Sequence, residues 1–247
     1  MLMADDGTGD FQTKAAAARA DVIARFDGAV PIADAEVSAQ YVLNSFRWAD
    51  RTATWSYNPS GKPTGLTGDA DAVAAAAASW ATVGANFHFS GDDPTTAIPR
   101  TCQDVTDGRN TVGWYAQSGS VLAMTCTYWN SSGNATEFDM EIDPAWNWTT
   151  NLSNIKVDLQ SVVAHEFGHA LGLKHPCDFT HPATCSASDR VAMMYGSYTS
   201  GTNNRIQQSD DIAAILTLYG GSAAPTPMPV PRAVLTHRVA MAVIAHE

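Results

Sequence analysis

Positive charge is scarce in this sequence. Lysine and arginine together number 14 against 25 aspartates and glutamates, giving a formal net charge of −11. No basic block occurs anywhere. Phosphate backbones and anionic membrane surfaces both require clustered Lys and Arg, so nucleic acid and membrane are excluded as main partners. Long apolar runs are missing too: none reaches the ~18 residues that a membrane span needs. The opening MLMADDGTGDF has acids at positions 5 and 6 and no apolar core of the kind a secretory leader carries. Three readings stay open there: a leader replaced by a new Met, export by another route, or residence inside the cell.

Cysteine is sparse. The four are Cys102, Cys126, Cys177 and Cys185, and none forms a CxxC, which excludes a four-thiolate zinc ribbon and a thioredoxin-like redox motif. Three pairings are possible. Cys102–Cys126 and Cys177–Cys185 are favoured because each closes a modest loop within one region. Two such bonds would imply an oxidising compartment; four reduced, buried thiols are the alternative.

What is present divides into recognisable elements. Residues 10–26 read as a helix closed by Gly28 and Pro31, and AEVSAQYVLNSFRW reads as a shorter helical pattern. TATWSY alternates and is rich in β-branched and aromatic residues, as a strand is. DADAVAAAAASWATVG is an alanine helix with acids in its first turn and Gly84 at its end. NFHFS, TVGWY, VLAMTCTYW and FDMEID are strand candidates separated by Gly, Ser and Asn clusters. VDLQSVVAHEFGHALGL is a helix that Asp158 caps and Gly172 stops. SDDIAAILTLYGG is another, with Asp210 and Asp211 in its first turn. The expected organisation is a helical segment at 1–46, one mixed α and β domain at 47–221, a stiff Pro-rich linker at 222–232 and a short apolar tail at 233–247.

Histidine is rare as well, yet three of the seven fall together in HEFGHALGLKHP, at His165, His169 and His175. On a helix, residues four apart differ by about 40° in azimuth and roughly 6 Å along the axis. His165 and His169 therefore share a face and can offer two nitrogens to one ion. Glu166, turned about 100° from His165, is poorly placed as an equal ligand but close enough to hold a water beside the metal. A left-handed Gly172 lets the chain reverse, so that His175 can return as third ligand. Three imidazoles leave one tetrahedral position of Zn²⁺ open, the construction of a catalytic zinc site. The expected chemistry is peptide hydrolysis, with zinc acidifying water and polarising the carbonyl and Glu166 as general base.

With HExxHxxGxxH followed by RVAMMYGSY, the sequence resembles the metzincins, zinc endopeptidases that pair this motif with a methionine-containing turn. Within them it most resembles the matrixins, the matrix-metalloprotease-like group of bacteria and animals. SDDIAAILTLYGG is similar to their C-terminal helix, and RWADRTATWSY, SWATVGANFHF and SVLAMTCTYW before FDMEID follow their element order. The resemblance implies an α+β zincin fold: a twisted mixed sheet with an active-site helix, a backing helix and a C-terminal helix. It implies a secreted, monomeric enzyme acting on protein or peptide, with one catalytic zinc. The histidines and glycine-rich loops of the family's structural zinc and calcium sites are missing; the acidic clusters Asp92-Asp93 and Asp139-Glu141 are candidates for calcium on their own account, with solvated loop acids as the alternative.

By resemblance Met194 underlies the zinc ligands. If Met193 is the turn methionine instead, Tyr195 falls where serralysins place a tyrosine; Pro176 is also the serralysin choice, but the calcium repeats of that group are absent. The strand edge Val121–Met124 would pair with an extended substrate, Ala123 supplying backbone bonds. Ser161 would lie low in the main side-chain pocket, and Tyr195 and Tyr198 would contact substrate. Asp211 is expected to anchor the methionine turn or a processed amine, and Asp210 to serve the helix dipole. No cysteine precedes Cys102, so the animal matrixins' cysteine-based latency cannot work through residues 1–50. A catalytically silent binding module and a zymogen masked by residues 1–45 are the alternatives.

Overall fold

A computed structural model describes residues 41–99, 106–178, 184–220 and, as backbone, 237–246. In chain order the strands and helices are β1 (Val42–Leu43), β2 (Thr52–Asn58), α1 (Asp69–Ser79), β3 (His88–Gly91), β4 (Thr111–Trp114), β5 (Val121–Trp129) and β6 (Ala135–Ile142). They continue as β7 (Trp148–Thr149), β8 (Val157–Asp158), α2 (Leu159–Leu171), β9 (Leu173–Lys174), α3 (Ala187–Val191), β10 (Ser197–Thr199), α4 (Ser209–Tyr219) and β11 (His237–His246).

Five strands form a mixed sheet in the order β5-β6-β4-β2-β3, which β11 and β10 extend beyond β5. β2, β3, β4 and β6 run parallel, and β5 is antiparallel to β6. The sequence explains the burial. In β2, Ala53, Trp55 and Tyr57 alternate inward, while β5 is apolar along its length and buried at every residue. α1 packs on α2, and α2 packs on β5. The α+β class, the mixed sheet and the three principal helices stand as the sequence leads one to expect.

Phe167 fixes the roll of α2. Its ring meets Phe89 at 4.6 Å, Trp55 at 5.4 Å and Phe138 at 6.0 Å, one partner from each of β3, β2 and β6. Two residues along a helix is a turn of about 200°, so seating Phe167 on the sheet sends His165 to the opposite side. Three aromatic contacts thereby aim the histidine face away from the main core.

Upstream of β2 the expectation needs correcting. The helical pattern in AEVSAQYVLNSFRW is no helix over its described part: Val42 and Leu43 form β1 and pair with Lys174 and Leu173 of β9. Asn44 N–H donates to the Gly172 carbonyl at 2.7 Å, and Phe46 is fully buried. Pairing with a distant segment overrides a weak local helical preference. The helix expected at 10–26 and the linker at 222–232 lie outside the described residues. Among the described residues no helix is long and apolar enough to cross a membrane.

Candidate metal centre

The centre is assembled by the ends of α2. At its start the Asp158 carboxylate accepts from Ser161 N–H at 3.0 Å and from Ser161 Oγ at 2.6 Å. Arg205 grips the same carboxylate with two bonds, Nε at 2.8 Å and Nη2 at 2.5 Å, where Asp158 is fully buried. Tyr198 Oη accepts from Asp158 N–H at 2.8 Å and donates to the Thr202 carbonyl at 2.5 Å. Burial pushes the Tyr198 phenol up to about 12, so it stays a donor. These bonds tie the helix start to the loop between β10 and α4.

At its end α2 stops at Gly172, which takes φ 106° and donates back to the His169 carbonyl at 3.0 Å. The last orphan carbonyl, Leu171, accepts from Tyr219 Oη at 2.8 Å. β9 then runs beside β1, and this pairing delivers His175 to the face of His165 and His169.

The three Nε2 atoms converge. They lie 3.0 Å apart between His165 and His169 and 3.2 Å apart for each of the pairs with His175. His165 Nδ1 is 2.6 Å from the Met193 carbonyl and His169 Nδ1 is 2.8 Å from the Leu173 carbonyl. A carbonyl only accepts, so each Nδ1 carries the proton and each Nε2 turns a lone pair inward. Burial pushes His165 down to about 3 and holds His169 and His175 well below the usual histidine value; the rings are neutral. Converging lone pairs repel unless a cation lies between them. Nitrogens bound tetrahedrally at 2.0–2.1 Å would be about 3.3 Å apart, close to the observed triangle. Donor type, protonation and spacing all fit Zn²⁺. Among the described residues this trio is the one group of three or more His, Cys, Asp or Glu whose ligand atoms converge.

The methionine turn lies beneath. A Cβ on Gly168 would collide with Met194 Sδ and stand 2.9 Å from Trp80 Cζ2, so Met194 packs on α2 between the turns that carry His165 and His169. Met193 contributes its carbonyl to His165 instead. Asp211 holds the turn, its carboxylate accepting from Met193 N–H at 2.8 Å and Met194 N–H at 3.0 Å. Asp210 is buried beside it.

A family model described as matrixin matches residues 47–220. The chain belongs to the matrixin peptidase family. Similar stretches occur in matrix metalloproteinase-18 of Xenopus laevis, 36% identical over 109 residues, which are 44% of this chain and 20% of that protein. Interstitial collagenase of Bos taurus is 39% identical over 94 residues, 38% of this chain and 16% of its own. Neutrophil collagenase of Homo sapiens is 38% identical over 88 residues, 35% and 16% of the respective chains. This matrixin thus aligns with a fifth or less of the length of these relatives.

Several expected residues fall around the centre of this matrixin. Ser161, Tyr195, Tyr198 and His165 line one cavity of about 270 Å³, with Asn204 and Arg190 on its wall. Ala123 lies on β5, but the edge expected to be open is taken: Val243 of β11 pairs opposite it. Glu166 follows His165 on α2 and has no exposed surface. Cys177 and Cys185 are disulfide-bonded with Cα atoms 5.4 Å apart; Cys102 lies outside the described residues, and Cys126 is buried in β5. Asp139 accepts from Thr111 N–H at 3.0 Å and Glu141 accepts from the Gln117 side chain. Sequence reasoning missed Arg205, Asn204 and Trp80. Arg205 sits in GTNNRIQQ, a stretch with no periodicity to mark it, whereas the indole of Trp80, whose Nε1 donates to the Ala164 carbonyl at 2.9 Å, lay inside a helix already read.

Proposed function

We propose that this matrixin is a zinc-dependent endopeptidase in which His165, His169 and His175 hold the ion and Glu166 is the general base. The single observation that supports this best is the triangle of converging Nε2 atoms at 3.0–3.2 Å. Zinc would supply a Lewis acid that acidifies water and polarises a peptide carbonyl. The chain supplies the rest. Met193 and Leu173 carbonyls fix the tautomers of two ligands, as outer partners of metal-bound histidines do. Glu166, one residue from a ligand on a helix braced at both ends, takes a proton from the attacking water and returns it to the leaving nitrogen.

With β11 displaced from its edge, Ala123 would offer backbone pairing to an extended peptide, and Ser161, Tyr195 and Tyr198 shape the cavity for a side chain next to the cut. The small Ser161 leaves room there for a large apolar group. Met194 is taken as the turn methionine because its sulfur packs against Gly168, which also favours the matrixin over the serralysin register. The substrate is protein or peptide, and the Cys177–Cys185 bond favours an oxidising, extracellular setting.

The test is Glu166→Gln. It should keep full zinc and lose casein or gelatin cleavage by a factor of about 10²–10⁴. Equal activity in the zinc-loaded variant would reject Glu166 as the base and favour an altogether different site.

A further inference from the structure

We propose that the chain's own C-terminal strand, β11, occupies the cleft edge at which a peptide substrate would pair, and so holds the protease closed. The inference rests on the endopeptidase reading of the cleft. β11 is antiparallel to β5 from His237 opposite Trp129 through Val243 opposite Ala123 to Ile244 opposite Val121. Its other edge is parallel to β10, with Ser197, Tyr198 and Thr199 opposite Ile244, Ala245 and His246. Ten residues of extended chain therefore lie between the two cleft walls, the β5 rim and the segment carrying Tyr198. One strand edge has one row of N–H and C=O groups, and substrate addition by strand pairing uses that same row. The tail and a peptide exclude one another there.

Two further observations agree. First, β11 also runs against α2, the helix that carries His165, Glu166 and His169. Second, the span matched by the matrixin model ends at residue 220, so the strand belongs to this chain rather than to the shared catalytic unit. The intervening residues 221–236 could extend to about 50 Å, ample to return the chain to the cleft.

A tethered strand acts at an effective concentration on the order of 1 mM. Taking the strand to bind the edge as a peptide of mid-range KM does, with a dissociation constant of about 100 μM, closed molecules outnumber open ones by about ten to one. Successive residues of a strand present their N–H groups to opposite edges, so two adjacent prolines must remove one donor facing β5. Prolines are also poorly tolerated in a central strand. The experiment compares the zinc-loaded full chain with the full chain carrying Met241→Pro and Ala242→Pro. It reads kcat/KM on a quenched fluorescent peptide and hydrogen exchange of the β5 amides, with α2 and β6 amides reporting intact folding. A synthetic peptide of sequence RVAMAVIAH is then added to the double variant.

The expected result is a rise in kcat/KM of about tenfold, loss of β5 protection, and competitive inhibition by the synthetic peptide. Unchanged β5 protection overturns the placement of the tail whatever the activity. Lost protection with an unchanged rate overturns self-inhibition. Lost protection in a protein that cleaves nothing supports the strand's placement and counts against the endopeptidase reading instead.

Discussion

Replacing Gly172 by alanine tests whether the sharp stop of α2 builds the metal centre. Gly172 has φ +106°, where an L side chain is strained, and its added Cβ would stand 2.8 Å from the Phe46 carbonyl oxygen. That oxygen cannot retreat easily, because Phe46 is buried and Asn44 N–H is bonded to the Gly172 carbonyl at 2.7 Å. Gly84 is the control: it has φ +81°, and a Cβ there meets nothing within 4 Å. Alanine at Gly84 should cost only the left-handed backbone penalty, about 1 kcal/mol. Alanine at Gly172 adds overpacking of about 1–3 kcal/mol, for a total near 2–4 kcal/mol. At roughly 2–4 °C per kcal/mol for a domain of this size, Tm should fall by about 5–15 °C at Gly172 and by about 2–4 °C at Gly84. Melting by circular dichroism in excess chelator keeps zinc linkage out of the comparison. Zinc titration of the same proteins should show affinity reduced at least about tenfold for Gly172→Ala alone. Equal Tm losses in the two variants would refute the close-approach argument, and equal zinc affinity would refute the hinge.

Two other substitutions probe the scaffold. Arg205→Ala leaves the Asp158 carboxylate buried without its counter-ion and should cost about 3–5 kcal/mol, read as a lower urea midpoint; Asp158→Asn combined with Arg205→Met should lose less than Arg205→Ala alone. Gly168→Ala drives a methyl into Met194 and Trp80 and should cost about 1–3 kcal/mol. Adding Met194→Ala should recover part of it, a coupling of about 1 kcal/mol or more between contacting residues; strict additivity would show that Met194 does not fill that space.

The helix that carries the histidines was legible because every local signal agreed: Asp158 as cap, a 3.6-residue pattern, and Gly172 at the end. The strands β2, β4, β5 and β6 were legible from β-branched and aromatic content. What escaped depends on distant partners. β1 forms because Leu173 and Lys174 are there to pair with it, and nothing in YVLN announces that. Arg205 matters through a carboxylate 47 residues away. The tail RVAMAVIAH was read as apolar and short, although its β-branched content and length also suit a strand; only the free edge of β5 gives that strand a place. Asp211, in contrast, has an anchoring role that the resemblance to matrixins implies, where the helix-start pattern alone gives only a dipole contact; its carboxylate does hold the Met193 and Met194 amides.

Zinc content per chain, measured on purified wild type and on His175→Ala at the same free zinc, tests the three-nitrogen cradle most directly. One ion per chain in the wild type and nearly none in the variant is the predicted result. Equal zinc in both proteins would contradict it, because the ion would then be held without the imidazole that the glycine hinge brings back.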